Sequence, residues 1–184
     1  METTRSTIYM MYKRSAERGT VFGLYLTSIF LSMAFGITNQ AFSVLLFALM
    51  CGVPFLIYYW LRNTYKQQNG LSDFSALWME GIAIFFFGGL LSSFFAFVYI
   101  QAVNPHFIET MMQASVDAYH QNPWQGGEVM VEGIETAIKK HIIPSAINVV
   151  VDGMWLIVFS GSMLSMLMAL LVKMRPIKNG NKMF

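Results

Sequence analysis

Charged residues are scarce in this chain: Asp, Glu, Lys and Arg make up only 12% of its 184 residues. A soluble domain is usually about a quarter charged. Apolar residues reach 55%, and the mean hydropathy is +0.51. One water-facing core of this size cannot bury so much apolar surface. The composition therefore argues against an ordinary soluble domain and indicates that the surrounding medium is lipid.

Cysteine is nearly absent as well, since Cys51 is the only one. A disulfide within the chain and a cysteine-based metal site are thereby excluded. The formal net charge of +2 is modest, and the basic residues flank apolar runs, so no nucleic-acid partner is expected. Neither Gly88-Gly89 nor Gly126-Gly127 matches a phosphate-binding loop. We expect a protein that is not an enzyme and carries no cofactor or metal.

What the chain does have is four long apolar runs. They cover about residues 20–37, 41–60, 78–103 and 142–172. A hydrocarbon core of about 30 Å needs about 20 helical residues, which each run supplies. The alternating pattern of a membrane barrel strand is absent, which leaves helices to satisfy the backbone in lipid. The prediction is an all-α integral membrane four-helix bundle, with residues 1–184 as a single domain.

A cleaved signal peptide is the alternative interpretation of the first run. Ala34 and Gly36 have the small-x-small spacing of a cleavage site. However, the basic leader is long, and only Thr38–Gln40 separates this run from the next, as in a tight helical hairpin. This spacing favours a membrane span.

The basic residues are distributed unevenly between the connections. Ten of the twelve Lys and Arg residues lie in Met1–Gly19, Leu61–Leu77 and Lys173–Phe184. The connection Asn104–His141 holds the other two beside five carboxylates. Because basic residues stay on the cytoplasmic side, the N- and C-termini are predicted to be cytoplasmic. The Thr38–Gln40 turn and the Asn104–His141 connection are then extracytoplasmic.

The long connection, about residues 104–141, is predicted to form an extracytoplasmic helical hairpin. Asn104 and Pro105 resemble a helix start, with Asn104 as the cap, and an amphipathic pattern about four turns long follows. A second helix is predicted from Glu128, with Glu135 and Lys139 as a favourable pair four residues apart.

Small residues recur at helical spacing in three of the runs and predict close helix packing in lipid. Packing within the bundle and contacts between two copies are both compatible with them. The rows are Ser28, Ser32 and Gly36; Gly88, Ser92 and Ala96; and Gly161, Ser165 and Ala169.

The most informative polar residue is Asp152, which shares a helical face with Ser145 and Asn148 in the fourth run. A carboxylate in a membrane costs about 2.5–3.5 kcal/mol on insertion scales and should face protein or water. Three hypotheses remain open. Asp152 could anchor polar groups at the neighbouring helix ends, bind a proton or cation in a translocation path, or contact a partner membrane protein.

Two other sets of polar residues are less informative. Glu80 lies near the cytoplasmic start of the third run, where it is expected to reach lipid headgroups. No intramembrane cation is evident to neutralise it or Asp152. The three histidines lie with carboxylates in the long connection, but their spacing matches no metal signature. The polar face of an amphipathic helix explains them, and a surface enzyme site is the minor alternative.

The order of these features resembles a known family. Tyr99-Ile100, then Asn104-Pro105-His106-Phe107, an acidic amphipathic helix and a polar-fronted last span are similar to the domain of unknown function 4199 family. The resemblance covers roughly residues 14–173. It implies a four-span protein of the bacterial cytoplasmic (inner) membrane with an outer helical insertion, and it brings no activity, substrate or cofactor.

Together these features predict an integral protein of the bacterial inner membrane. The favoured hypothesis is a non-enzymatic structural or accessory subunit that associates with itself or with another envelope protein. The alternatives are a small ion- or solute-translocating protein using Asp152 and, less favoured, an outer-surface enzyme.

Overall fold

The computed structural model describes residues 2–36 and 39–175, with only the backbone described at residues 2–10 and 40. Thr38 of the first turn and the basic residues Lys178 and Lys182 lie outside the described residues. The described part is helical and contains no strand, which confirms the predicted all-α class. Its six α-helices are α1 (Glu2–Gly36), α2 (Gln40–Gln67), α3 (Phe74–Val98), α4 (Phe107–Gln121), α5 (Glu128–Lys139) and α6 (Ala146–Lys173).

Four helices are long and apolar enough to cross a membrane, as the four runs predicted. The candidate spans are Met11–Gly36, Ala41–Gln67, Phe74–Val103 and Ala146–Lys173. The first three extend beyond the apolar runs, because a helix continues through polar residues until the backbone turns. At the end of α2 this happens at Asn69 and Gly70, whose φ angles are 52° and 79°.

The fourth span begins later than its apolar run. The run starts at Ile142, whereas α6 starts at Ala146, after Ser145 in extended conformation. His141 has a φ of 52°, and Pro144 follows before the helix begins. Proline lacks the amide donor and disfavours helical conformation in the preceding residue, so it sets this boundary.

Helix α3 forms the centre of the bundle, with α1 packed along one side and α6 along the other. Small residues allow the close approach between α3 and α6. A Cβ added to Gly81 would lie 2.5 Å from Cβ of Ser165. The predicted small-residue rows of α3 (Gly88, Ser92, Ala96) and of α6 (Gly161, Ser165, Ala169) are all buried.

The close contact of α1 with α3 uses other residues than the predicted row. Of that row, Ser32 is buried, Ser28 is exposed and Gly36 is half-buried. Instead Gly19 and Gly23, one turn apart, lie against α3. A Cβ on Gly19 would lie 2.5 Å from Cβ of Phe87, and one on Gly23 would lie 3.0 Å from a carbonyl oxygen of α3.

The buried side chains form two clusters at opposite ends of the bundle. At the end that carries Arg18 and Lys173, which we call the basic end, α2 contributes Ile57, Leu61 and Tyr65. At the end covered by α4 and α5, which we call the hairpin end, the buried cluster is Ala34, Ala96, Ile100, Phe107, Ile108 and Val150. Among the described residues, none of these comes from α2. Helix α2 therefore contributes buried side chains to the cluster at the basic end but not to the described cluster at the hairpin end.

The two helices of the long connection contact each other. Helix α5 begins at Glu128, as the sequence predicted, but the predicted start of the first helix is wrong. Helix α4 begins at Phe107 with His106 at the cap position. Asn104 belongs instead to the end of the third span, because its amide bonds the Tyr99 carbonyl at 2.9 Å and closes a π-helical segment, Tyr99–Val103.

Candidate functional site: a buried ion cluster and an apolar cavity

The polar face predicted on the fourth span lies on the outside of the bundle. Ser145 precedes α6, and the side chains of Ser145, Asn148 and Asp152 are all exposed. Asp152 is six residues beyond Ala146, about 9 Å along the helix at 1.5 Å per residue. Within residues 11–36, 39 and 41–175, no hydrogen bond or ion pair reaches its carboxylate. The described structure thus provides Asp152 with no internal anchor.

The buried carboxylate of the bundle is Glu80 instead. Its side chain is 1% exposed and lies on α3, two residues after Trp78. The expectations that Glu80 reaches lipid headgroups and that no cation neutralises it are wrong. Two arginines of α1 bind it from within the first span. This cluster, which we call the Glu80 cluster, consists of Glu80, Arg14, Arg18 and Thr64.

The geometry of the Glu80 cluster satisfies both carboxylate oxygens. Arg14 binds in a bidentate manner, with Nε donating to Oε1 at 2.9 Å and Nη2 donating to Oε2 at 2.8 Å. Nη1 of Arg18 donates to Oε1 at 2.6 Å, and the Thr64 hydroxyl donates to the same oxygen at 2.8 Å. Charge-assisted and bidentate hydrogen bonds are the strong ones in proteins. The cluster therefore ties α1, α2 and α3 together at the basic end.

Helical spacing along α1 explains how the two arginines reach one acid. Arg14 and Arg18 are four residues apart and hence lie on one helix face. Ser15, Gly19 and Gly23 continue an adjoining row along α1, where α3 approaches closely. The four-residue spacing of Arg14 and Arg18 is visible in the sequence. Both arginines precede the apolar run, which begins at Thr20, and the sequence therefore indicated topology determinants and not residues of a span.

The Glu80 cluster has the composition of a structural clamp. Arg18 also donates to the Trp60 carbonyl at 3.1 Å, and its side chain is only 12% exposed. A buried charge pair is stabilised only when hydrogen bonds satisfy its remaining groups, as they do here. Two guanidinium groups face one carboxylate, which leaves one positive charge in excess at the basic end.

An apolar cavity with a volume of about 960 Å³ lies within the bundle at the hairpin end. All four spans and both helices of the connection contribute to its wall. Its lining is almost entirely hydrophobic, with four serine hydroxyls among the side chains. Residues that line it include Phe30 of α1, Val53 of α2, Ala96 of α3, Met112 of α4, Ile134 of α5 and Val150 of α6. Asp152 is not among them.

The mouth of the apolar cavity lies between α2 and α6. Met50 of α2 and Leu156 of α6 both line the cavity, yet they are 56% and 68% exposed. Helix α2 is held to α1 here by the Tyr25 hydroxyl, which donates to the Leu49 carbonyl at 2.6 Å. It is held to α6 at the basic end, where Arg62 donates to the Val172 carbonyl at 3.2 Å. The gap therefore opens sideways, towards the surroundings of the spans.

Two pairs of a histidine and a carboxylate lie on the surface of the connection. His106 and Glu109 lie 3.6 Å apart, and His120 Nε2 lies 3.0 Å from Glu135 Oε1. The predicted pair of Glu135 and Lys139 is present, with 3.5 Å between Nζ and Oε2. Among the described residues, no group of three His, Cys, Asp or Glu side chains could hold a metal ion.

In the second pair, His120 and Glu135, the surroundings shift the pKa of the carboxylate. The hydrogen bond from His120, with a smaller contribution from Lys139, holds the pKa of Glu135 below its ordinary value. Desolvation of the carboxylate, the second-largest effect, acts in the opposite direction and raises the pKa. This pair joins α4 to α5 and keeps the two helices side by side over the apolar cavity.

The fold defines a multi-pass helical membrane protein with a helical insertion between its third and fourth spans. The chain belongs to the family described as Protein of unknown function (DUF4199), which matches residues 17–174. The resemblance seen in the sequence is thereby confirmed. No curated protein and no solved structure matches the chain.

Proposed function

We propose that this chain is a non-enzymatic membrane protein that holds the hydrocarbon tail of a membrane lipid in its apolar cavity. The observation that carries the proposal is the cavity itself, about 960 Å³ of hydrophobic space at the hairpin end. Ligand pockets commonly measure about 300–1,000 Å³ and are lined mainly by apolar side chains. The cavity is at the upper end of that range.

The position of the mouth supports a lipid as the occupant. The cavity opens sideways between Met50 and Leu156, in helices that are apolar enough to lie in hydrocarbon. The side chains that line an empty cavity lack dispersion contacts on one side. A lipid tail inside the apolar cavity would supply these contacts, which packing against α2 does not supply. A lipid tail enters this gap without leaving the membrane.

The distribution of charge supports an orientation for the site. Lys and Arg are concentrated at the basic end, and such residues stay on the cytoplasmic side of a membrane. In our proposal the chain lies in the bacterial cytoplasmic membrane with both termini inside. The hairpin end then faces outwards, and the bound lipid comes from the outer leaflet.

A cavity-filling variant tests the proposal. Gly153 lines the cavity, and a Cβ added there has no atom within 4 Å. Gly153→Phe should fill the space without a backbone clash, and native mass spectrometry should then show loss of the lipid that wild-type protein retains. The matched control is Gly133→Phe on α5, where a Cβ also meets nothing within 4 Å. Lipid retention that is equal in wild type and Gly153→Phe contradicts the proposal.

A second candidate function is association with a partner membrane protein or with a second copy of this chain. Asp152 favours it, because an exposed carboxylate on a span is costly unless something meets it. With Cys51 replaced by Ser, a cysteine at Asn148 should crosslink to the neighbour in native membranes, and Asp152→Asn should reduce the yield. A cysteine at Phe47, exposed on α2, is the control. A monomer without crosslinks would remove this candidate.

The other two hypotheses from the sequence gain no specific support. Translocation through Asp152 would call for a path to that residue, and Asp152 lines neither the apolar cavity nor the smaller polar cavity beside it. An enzyme at the outer surface would need several reactive side chains close together in one site. The two histidine–carboxylate contacts, His106 with Glu109 and His120 with Glu135, are separate pairs. Both hypotheses stay predictions.

A further inference from the structure

A second, polar cavity adjoins the apolar one at the hairpin end. Its volume is about 340 Å³, and Gln101, His106 and Glu109 line it. The two cavities share three lining residues, Ile100, Ile108 and Pro144. A single molecule with a hydrocarbon tail and a polar head could therefore occupy both spaces at once.

The backbone at the junction has an unusual form that separates the two environments. Tyr99–Val103 is π-helical, a conformation that is rare and frequent at functional sites. Within it, Ile100 is buried and lines both cavities, while Gln101 is exposed and lines the polar cavity alone. The π-helical segment thus presents an apolar and a polar side chain in succession at the boundary.

We propose that the polar cavity receives the headgroup of an amine-bearing phospholipid whose tail lies in the apolar cavity. This inference rests on the proposed function and adds the class of lipid. It follows from which groups line the polar cavity and what each of them can bind.

The charges that line the polar cavity favour an ammonium group. Among the described residues that line it, Glu109 is the acidic one and His106 the basic one, 3.6 Å from the Glu109 carboxylate. An ionised carboxylate only accepts hydrogen bonds, which suits an ammonium donor. The same carboxylate repels a headgroup that carries only negative charge.

The remaining polar groups suit the phosphate of such a lipid. The amide of Gln101 can donate hydrogen bonds, and so can the imidazole of His106. Both side chains are exposed at the rim and therefore accessible to a headgroup. A donor pair beside one carboxylate matches a phosphate joined to an ammonium group, as in phosphatidylethanolamine.

A competition between two lipids tests the inference. Protein in detergent is incubated with equal amounts of phosphatidylethanolamine and phosphatidylglycerol with identical tails, and native mass spectrometry counts the lipid retained. Wild type should prefer phosphatidylethanolamine by about twofold to fivefold, as expected for one partly exposed ion pair. Glu109→Gln should abolish the preference. Glu132→Gln, at an exposed position on α5 outside both cavities, should preserve it.

The outcomes separate the two proposals. Lipid that is retained without a headgroup preference, or with a preference that Glu109→Gln does not change, overturns the headgroup inference alone. A wild-type protein that retains no more lipid than Gly153→Phe overturns the proposed function and the headgroup inference with it.

Discussion

Nη1 of Arg18 lies 2.6 Å from Oε1 of Glu80, although 62 residues separate the two in the chain. Arg18 belongs to the first span and Glu80 to the third, and both side chains are largely buried. Because Arg14, one turn earlier on α1, binds the same carboxylate, a shift of α1 against α3 by one helical turn would break at least one of the two contacts, and together they fix the register. The Glu80 cluster therefore determines the alignment of the helices that carry the apolar cavity.

Glu80→Gln should strongly destabilise the protein. The substitution leaves two partly buried guanidinium groups, 24% and 12% exposed, without a counter-charge, and breaking a buried pair typically costs about 3–5 kcal/mol. Unfolding of the protein in mixed micelles with increasing SDS would measure the loss. Glu132→Gln makes the same chemical change at an exposed position and should have little effect. Equal stability of the two variants would show that the cluster is not a clamp.

Asp152→Asn should leave the stability of the isolated protein nearly unchanged. Its side chain is exposed and accepts no hydrogen bond from the side chains that the structure describes. Surface substitutions without such partners usually change stability by less than about 0.5 kcal/mol. The same SDS titration provides the measurement. A loss as large as that of Glu80→Gln would support the hypothesis that Asp152 is an internal anchor.

Gly19→Ala should weaken the contact between α1 and α3. The added methyl group would lie 2.5 Å from Cβ of Phe87, so the helices must move apart. Overpacking of this kind typically costs about 1–3 kcal/mol. Gly133→Ala is the matched control, since its methyl group meets nothing and alanine favours a helix. A Gly19→Ala protein as stable as the control would contradict the packing described here.

The carboxyl group of Glu135 should titrate below the ordinary glutamate value of 4.5, because its bond to His120 favours the charged form. With a lowered pKa in the folded state, its stabilising effect is complete above the ordinary pKa. The effect is lost as the pH falls through the lowered value. NMR titration of the carboxyl carbon would measure the midpoint, and His120→Ala should raise it. A midpoint at or above 4.5 in the wild-type protein would contradict the pair.

The sequence predicted the helices well because hydrophobicity over about 20 residues reports directly on a membrane span. It also predicted the start of α5 at Glu128, where Gly126-Gly127 breaks the preceding segment. The ends of the spans were harder to predict. Hydropathy ends where polar residues begin, whereas helical hydrogen bonding continues, as it does through Arg14 and Arg18 in α1.

The Glu80 cluster and the apolar cavity could not be predicted in the same way. Pairing of Glu80 with Arg14 and Arg18 depends on the register between helices that are distant in sequence. The local spacing of four residues shows only that the arginines share a face. The cavity lies at the end of the bundle where α2 contributes no side chain to the described buried cluster, and missing contacts leave no pattern in the sequence of the helix. The exposure of Asp152 likewise depends on how α6 is rotated.

The most direct measurement is photocrosslinking with a phospholipid that carries a diazirine in its tail, incorporated into membranes that contain the wild-type protein. Peptide mapping by mass spectrometry then locates the adducts. We expect adducts on residues that line the apolar cavity, such as Met112 of α4 and Val150 of α6, and their loss in Gly153→Phe. Adducts confined to the outward-facing Phe47 and Phe55 of α2 would contradict a lipid tail inside the bundle.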